Sequence, residues 1–215
     1  MIERLETLQW IKETGLVAVI RGIPADKVPA LISSLYDGGV RVMEITMDSE
    51  DALDLIKSES KKYKGKAAVG AGTVLDAGAG LLAVQAGASF LFAPALDKET
   101  IEVANRYGRV VIPGVFTPTE ALQAVTWGAD IVKFFPADAV GSKFIKGFKG
   151  PLNHISIMPT GGVSIDNVEE FIKAGAIAVG AGGSLFKNEW VEDNKWDAIT
   201  DHAKNFVTTI QAAKK

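Results

Sequence analysis

One unit recurs eight times along the 215 residues: a helical stretch, a glycine-containing stop and a short apolar run. The stops are Gly15, DGG (37–39), Gly65, QAGA (85–88), RYG (106–108), WGA (127–129), the weaker PLNH (151–154) and KAGA (173–176). A glycine just past a helix takes the left-handed conformation without a Cβ clash, so each stop marks a helix end and the run after it reads as a strand. The runs are LVAVIRG (16–22), VRVMEITM (40–47), AAVGAGTV (67–74), FLFAPA (90–95), VVIPGVF (110–116), IVKFFPA (131–137), ISIMPTGGV (155–163) and AIAVGAGGSL (176–185). They are continuously apolar instead of alternating, the pattern of parallel strands covered on both faces. Landmarks from Val17 to Ile177 lie 19 to 26 residues apart, room for one strand, one helix and two short loops.

Eight such units predict a (β/α)8 TIM barrel built as one domain over residues 1–215. An open doubly wound sheet is the alternative, but that fold more often has about five or six strands. Residues 1–14 are expected to form an extra helix over the N-terminal end of the barrel, residues 16–185 to carry its strands and residues 187–215 to form its last helix.

Composition removes several function classes. Hydrophobic residues at 47 % and charged residues at 23 % match an ordinary globular chain and disfavour disorder. A net charge of −3 gives no basic footprint for nucleic acid. The absence of cysteine removes disulfides and thiolate chemistry and points to a reducing compartment. MIERLETLQWIKETG does not read as a signal peptide, and no apolar run reaches the length of a membrane span, so a cytoplasmic protein without a membrane partner is expected.

In barrel enzymes the active site lies at the C-terminal ends of the strands. Apart from Arg41, at the N-terminal edge of its strand, the eight runs hold three charged residues: Arg21, Glu44 and Lys133. Alternation places Ile131, Lys133 and Phe135 on one face of the sixth run and Val132 and Phe134 on the other. If the first set points inward, burial lowers the amine's pKa and makes it a nucleophile toward carbonyls. The alternative is a lysine whose stem packs while its head reaches the rim or pairs with Glu44.

The seventh run ends in PTGGV (159–163) and the eighth in GAGGSL (180–185), each with paired glycines just before an expected helix. Such sites bind anions, and the loops after the last two strands are where these barrels commonly hold phosphate. Tight turns also use glycine for geometry alone. Thr73, in GAGTV (70–74), offers a hydroxyl near Arg21 and Glu44, or serves as an ordinary strand threonine or helix cap. His154 precedes the seventh strand and His202 lies in the last helix, so neither is expected to serve the site, which disfavours histidine-ligated metal and histidine acid-base chemistry. The basic clusters KKYKGK (61–66) and KFIKGFKG (143–150) read as solvated helix faces and ends.

Taken in order, VAVIRG, EITM, GAGTVLD, PGVFTPTE, VKFFPA, MPTGGV and GAGGSLF resemble the 2-keto-3-deoxy-6-phosphogluconate (KDPG) aldolase family, class I aldolases that include 4-hydroxy-2-oxoglutarate (KHG) and phosphogalactonate-type members. The resemblance implies a lyase without cofactor or metal that cleaves a phosphorylated 2-keto-3-deoxy sugar acid to pyruvate and glyceraldehyde 3-phosphate, working as a homotrimer. It implies that Lys133 forms a Schiff base with the 2-keto carbon while Glu44 moves protons through a bound water. Thr73 and an arginine would hold the pyruvyl carboxylate, with Phe135 packed over the imine. The phosphate would rest on Gly161, Gly162, Gly183 and Ser184, and Pro113, Thr160 and Gly182 join the substrate-binding set. Some members carry an arginine four residues after the glutamate, where this chain has Asp48. Arg21 then takes the clamp role, and no single residue reads the gluconate or galactonate configuration. The rival readings are a phosphate-binding barrel isomerase or epimerase and a non-catalytic ligand-binding module.

Overall fold

The computed structural model describes residues 2–215. Its strands are β1 (Leu16–Ile20), β2 (Val42–Thr46), β3 (Ala68–Gly72), β4 (Phe90–Phe92), β5 (Val110–Ile112), β6 (Gly114–Val115), β7 (Val132–Phe134), β8 (Ile157–Pro159) and β9 (Val179–Ala181). All pair in parallel, six in the order β5-β4-β3-β2-β1-β9 and three in the order β6-β7-β8, giving a curled α/β sheet wrapped by helices. The helices are α1 (Ile2–Thr14), α2 (Val28–Asp37), α3 (Ala52–Lys62), α4 (Ala77–Ala86), α5 (Lys98–Arg106), α6 (Pro118–Thr126), α7 (Gly141–Lys149), α8 (Val168–Lys173), α9 (Asn188–Glu192) and α10 (Trp196–Ala213). None is long and apolar enough to cross a membrane.

Glycine stops end the helices as expected. Gly87 at φ 105° closes α4 and accompanies two backbone bonds back to its last turn, the geometry that costs any residue with a Cβ. The weaker PLNH stop has no such glycine, and the turn after α7 closes instead through Leu152 and Ile155 N–H bonds.

Period-2 alternation sorts each strand's side chains into two sets. Val17, Val42, Ala68, Phe90, Phe92, Val110, Ile112, Ile131, Met158 and Ala178 form one buried cluster on the concave side of the sheet. Their neighbours in sequence, such as Ala18, Met43, Val69, Leu91, Val132 and Ile157, join a second cluster under the helices. Both faces are therefore covered, which is why the runs lack polar alternation. Ile11 of α1 enters the concave cluster, with Leu8 and Trp10 packed against it, so the N-terminal helix seals that side. Met1, included in the expected helix, lies outside the described residues.

Two expectations are corrected. The fifth run is two strands, β5 and β6, because Pro113 between them has no N–H for a ladder and Gly114 comes so close to its neighbour that a Cβ would stand 2.1 Å from Pro94 O. Residues 187–215 form two helices, α9 and α10, broken where Asn194 takes φ 55°, a conformation Asn tolerates better than most residues.

Candidate active site

The strand ends bring most of the predicted residues to one cavity of about 570 Å³. Arg21 follows β1, Thr73 follows β3, Lys133 lies within β7 and Phe135 just beyond it, and Thr160, Gly161 and Gly162 follow β8. Gly182, Gly183 and Ser184 follow β9 and complete the far wall. Glu44 does not line this cavity; it is 1 % exposed, in register with Val19 of β1 and Gly70 of β3. Pro113 is also away from the wall and acts through its carbonyl, which accepts the Lys133 backbone N–H at 2.8 Å.

Lys133 is 6 % exposed, so its head does not escape to the rim. Its Nζ stands 4.3 Å from the centre of the Phe92 ring and 4.6 Å from that of Phe135. Burial lowers its pKa from the ordinary lysine value; the Glu44 charge opposes this, and the Arg21 charge adds to it. The result favours a neutral amine with a free lone pair.

Glu44 is pushed the other way. Burial raises its pKa to about 7 against the pull of Lys133, Arg21 and the Thr73 backbone N–H, and nearby Asp48 raises it further. Its Oε2 has no hydrogen-bond partner among the described residues, and no direct ion pair joins it to Lys133. A carboxyl with a pKa near neutrality can both take and return a proton. Arg21 Nη2 donates to Thr73 Oγ1, so the guanidinium and the hydroxyl stand together as one polar wall.

The glycine turns differ in one respect from expectation. Helices α8 and α9 begin at Val168 and Asn188, several residues beyond Gly162 and Gly183, and each is only a turn or two long. Exposed N–H groups therefore come from the turns themselves and not from helix N-termini. Those of Gly162, Gly183 and Ser184 take no part in the turn hydrogen bonds among the described residues. The two turns are tied together by Ser184 Oγ, which donates to Val163 O at 2.5 Å.

Val19, Pro94, Phe186 and Asn188 also line the cavity and were not singled out from sequence. Val19 was accessible, since it lies two residues before Arg21 on the same strand face. Asn188 had no local signal, since it is the first residue of α9, a separate helix that the sequence alone does not divide from α10. His202 was set aside, yet its Nε2 lies 3.0 Å from Ser184 O. A second cavity, of about 580 Å³, lies at the opposite end against α1, and Lys61 and Lys64 of the basic KKYKGK cluster line it. None of the predicted site residues reaches that cavity.

The family model described as "Aldolase: KDPG and KHG aldolase" matches residues 8–202. The chain belongs to the KDPG and KHG aldolase family. Its members are carbon–carbon lyases, and the resemblance read from the ordered motifs holds. The chain is 36 % identical to a 2-dehydro-3-deoxy-phosphogluconate aldolase of Pseudoalteromonas atlantica, over 82 % of each chain. It is 34 % identical to a 2-dehydro-3-deoxy-6-phosphogalactonate aldolase of Escherichia coli, over 84 % of this chain and 88 % of that one. A solved KDPG aldolase of Legionella pneumophila, with pyruvate captured as a covalent carbinolamine intermediate, superposes with a TM-score of 0.83 at 26 % identity, over 91 % of this chain and 95 % of that one.

Proposed function

We propose that this aldolase cleaves 2-keto-3-deoxy-6-phosphogluconate to pyruvate and glyceraldehyde 3-phosphate through a Schiff base on Lys133. The observation that carries the reading is a buried amine lining the cavity and a buried carboxyl near enough to act on its charge, with pKa values driven toward each other. The carbinolamine captured in the Legionella aldolase supports the covalent route. The Lys133 lone pair attacks the 2-keto carbon, and the carbinolamine loses water to give an iminium ion. Glu44, through a bound water, takes the proton of the C4 hydroxyl. The C3–C4 bond then breaks, its electron pair enters the iminium as an enamine, and the aldehyde leaves. Glu44 returns its proton to C3, and hydrolysis releases pyruvate and the free amine.

Arg21 and Thr73 hold the pyruvyl carboxylate, a role supported by their mutual hydrogen bond at the cavity wall. Phe135 packs over the imine, and the free N–H groups of Gly162, Gly183 and Ser184 receive the phosphate beside Thr160, Gly161 and Gly182. Pro113 contributes by fixing the Lys133 backbone. A 2-keto-3-deoxy-6-phosphogalactonate substrate is the second reading, favoured by the Escherichia coli relative at 34 % identity. KHG cleavage to pyruvate and glyoxylate is a further activity of the same site.

The two sheet segments are proposed to close into one (β/α)8 barrel domain. The parallel bridge Thr160–Gly180 and the Ile177 N–H bond to Ile157 O at 3.0 Å support closure on one side, and the direct run of chain through Pro113 supports it on the other. A cytoplasmic homotrimer is the proposed working form; Leu122 and Val125 of α6 and Leu75 and Leu82 near α4 are exposed apolar side chains available for contact. Incubation with pyruvate and borohydride followed by mass spectrometry tests the chemistry: the reduced adduct is expected on Lys133, and its absence would sink the Schiff-base assignment. Turnover on the two epimeric phosphates and on KHG ranks the substrates.

A further inference from the structure

In the two glycine turns the carbonyls of Gly162, Val163, Gly182 and Ser184 accept hydrogen bonds, whereas the N–H groups of Gly162, Gly183 and Ser184 make none among the described residues. Asn167 Nδ2 donates to Gly162 O at 2.8 Å, and its Oδ1 accepts from Ser164 N–H at 2.9 Å. Val163 O accepts from Ser184 Oγ. Gly182 O accepts from Leu185 N–H at 2.7 Å and from Phe186 N–H at 3.3 Å. Ser184 O has one partner among these, His202 Nε2 at 3.0 Å.

A carbonyl oxygen only accepts, so this contact requires a proton on His202 Nε2. The ring is held edge-on between two aromatics, Trp190 at 5.5 Å and Phe206 at 5.7 Å between centres. Phe206 is fully buried, so α10 anchors the imidazole to the core. Because a peptide unit is planar with C=O and N–H opposed, fixing Ser184 O also fixes the direction of Leu185 N–H. That N–H donates to Gly182 O, which in turn fixes Gly183 N–H. Two rigid peptide planes thus connect the imidazole to one of the free N–H groups facing the proposed phosphate.

We infer that His202 is a positioning residue for the anionic end of the substrate, acting through the Ser184–Leu185 and Gly182–Gly183 peptides. The inference rests on the reading of these turns as the phosphate end of the site. It gives the enzyme a preference for phosphorylated over unphosphorylated sugar acids that depends on a side chain outside the cavity, since His202 touches neither the amine nor the carboxyl of the reaction.

The test pairs His202→Met, which removes the donor, with His202→Gln, which keeps a side-chain N–H of similar reach. Inorganic phosphate is titrated into each protein while the amide signals of Gly162, Gly183 and Ser184 are followed by NMR. Loss of one bracing hydrogen bond is expected to raise the phosphate Kd roughly three- to tenfold in His202→Met, with recovery in His202→Gln. KM for the phosphorylated substrate should rise by the same factor, with kcat and the KM for KHG unchanged. An unchanged phosphate Kd in His202→Met, an equal rise in KM for both substrates, or no recovery in His202→Gln would overturn the inference. Imidazole nitrogen shifts in the unmodified protein give a check independent of any variant, and an unprotonated Nε2 would also overturn it. Phosphate that moves none of these amides in the unmodified protein would instead strike down the phosphate-end reading, a distinguishable failure.

Discussion

A Cβ on Gly72 would stand 1.7 Å from Glu44 Oε1. The space that the carboxyl occupies on the concave face is the space that an ordinary β3 residue would fill, so Gly72 sets the position of Glu44. Gly72→Ala is expected to displace the carboxyl and lower kcat by roughly 10²-fold, the scale of a misplaced acid-base group, while circular dichroism shows a retained fold. Unchanged kcat would mean that Glu44 either relaxes freely or moves no proton.

Lys133→Met keeps the volume of the side chain and removes the amine. Turnover is expected to fall by on the order of 10⁴ or more, and the borohydride-trapped pyruvate adduct to disappear. Since burying an amine at 6 % exposure is unfavourable, the same variant should unfold at a higher temperature than the parent protein by calorimetry. A variant without adduct but with full turnover would remove Lys133 from the mechanism.

Much of this arrangement was legible because burial on both faces of the sheet leaves few polar residues in the strands, so Arg21, Glu44 and Lys133 stood out against apolar runs. Alternation then placed Lys133 with Ile131 and apart from Val132 and Phe134, the division seen between the two core clusters. The split at Pro113 was less legible, since a two-residue strand such as β6 has no periodicity of its own. The break at Asn194 depends on a single residue adopting φ 55°, which local propensity barely signals. The part played by His202 was invisible: it arises from α10 folding back beside a turn 18 residues earlier, a contact that sequence spacing does not encode.

Glu44 is expected to set the acidic limb of the pH profile. With its pKa raised to about 7 by burial, the carboxylate needed to accept the C4 hydroxyl proton is lost as pH falls through 7, so kcat/KM for cleavage should rise with pH across that region. Glu44→Gln should flatten this limb and lower kcat by roughly 10²- to 10⁴-fold. Stability moves oppositely. The folded state holds this proton more tightly than the unfolded state, so the parent protein loses stability as pH rises from 4.5 to about 7, by on the order of a few kcal/mol for this group. Glu44→Gln should therefore gain in melting temperature over the parent more at pH 8 than at pH 4.5. The same gain at both would show that the carboxyl is not destabilised by burial.

Arg21 bears on binding and titration together. Its charge lowers the pKa of both Lys133 and Glu44, and its guanidinium is hydrogen-bonded to Thr73 at the cavity wall. Arg21→Ala should raise KM for the keto acid roughly 10- to 100-fold through loss of a charge-assisted carboxylate contact. It should also shift the acidic limb of the pH profile to higher pH, because Lys133 and Glu44 both act deprotonated and each loses a nearby positive charge that favours that form. Arg21→Lys keeps the charge without the planar fork, so it should retain most of the pH profile while recovering only part of the binding. A KM effect in Arg21→Ala without movement of that limb would confine Arg21 to substrate contact. Movement of the limb with unchanged KM would place the carboxylate elsewhere.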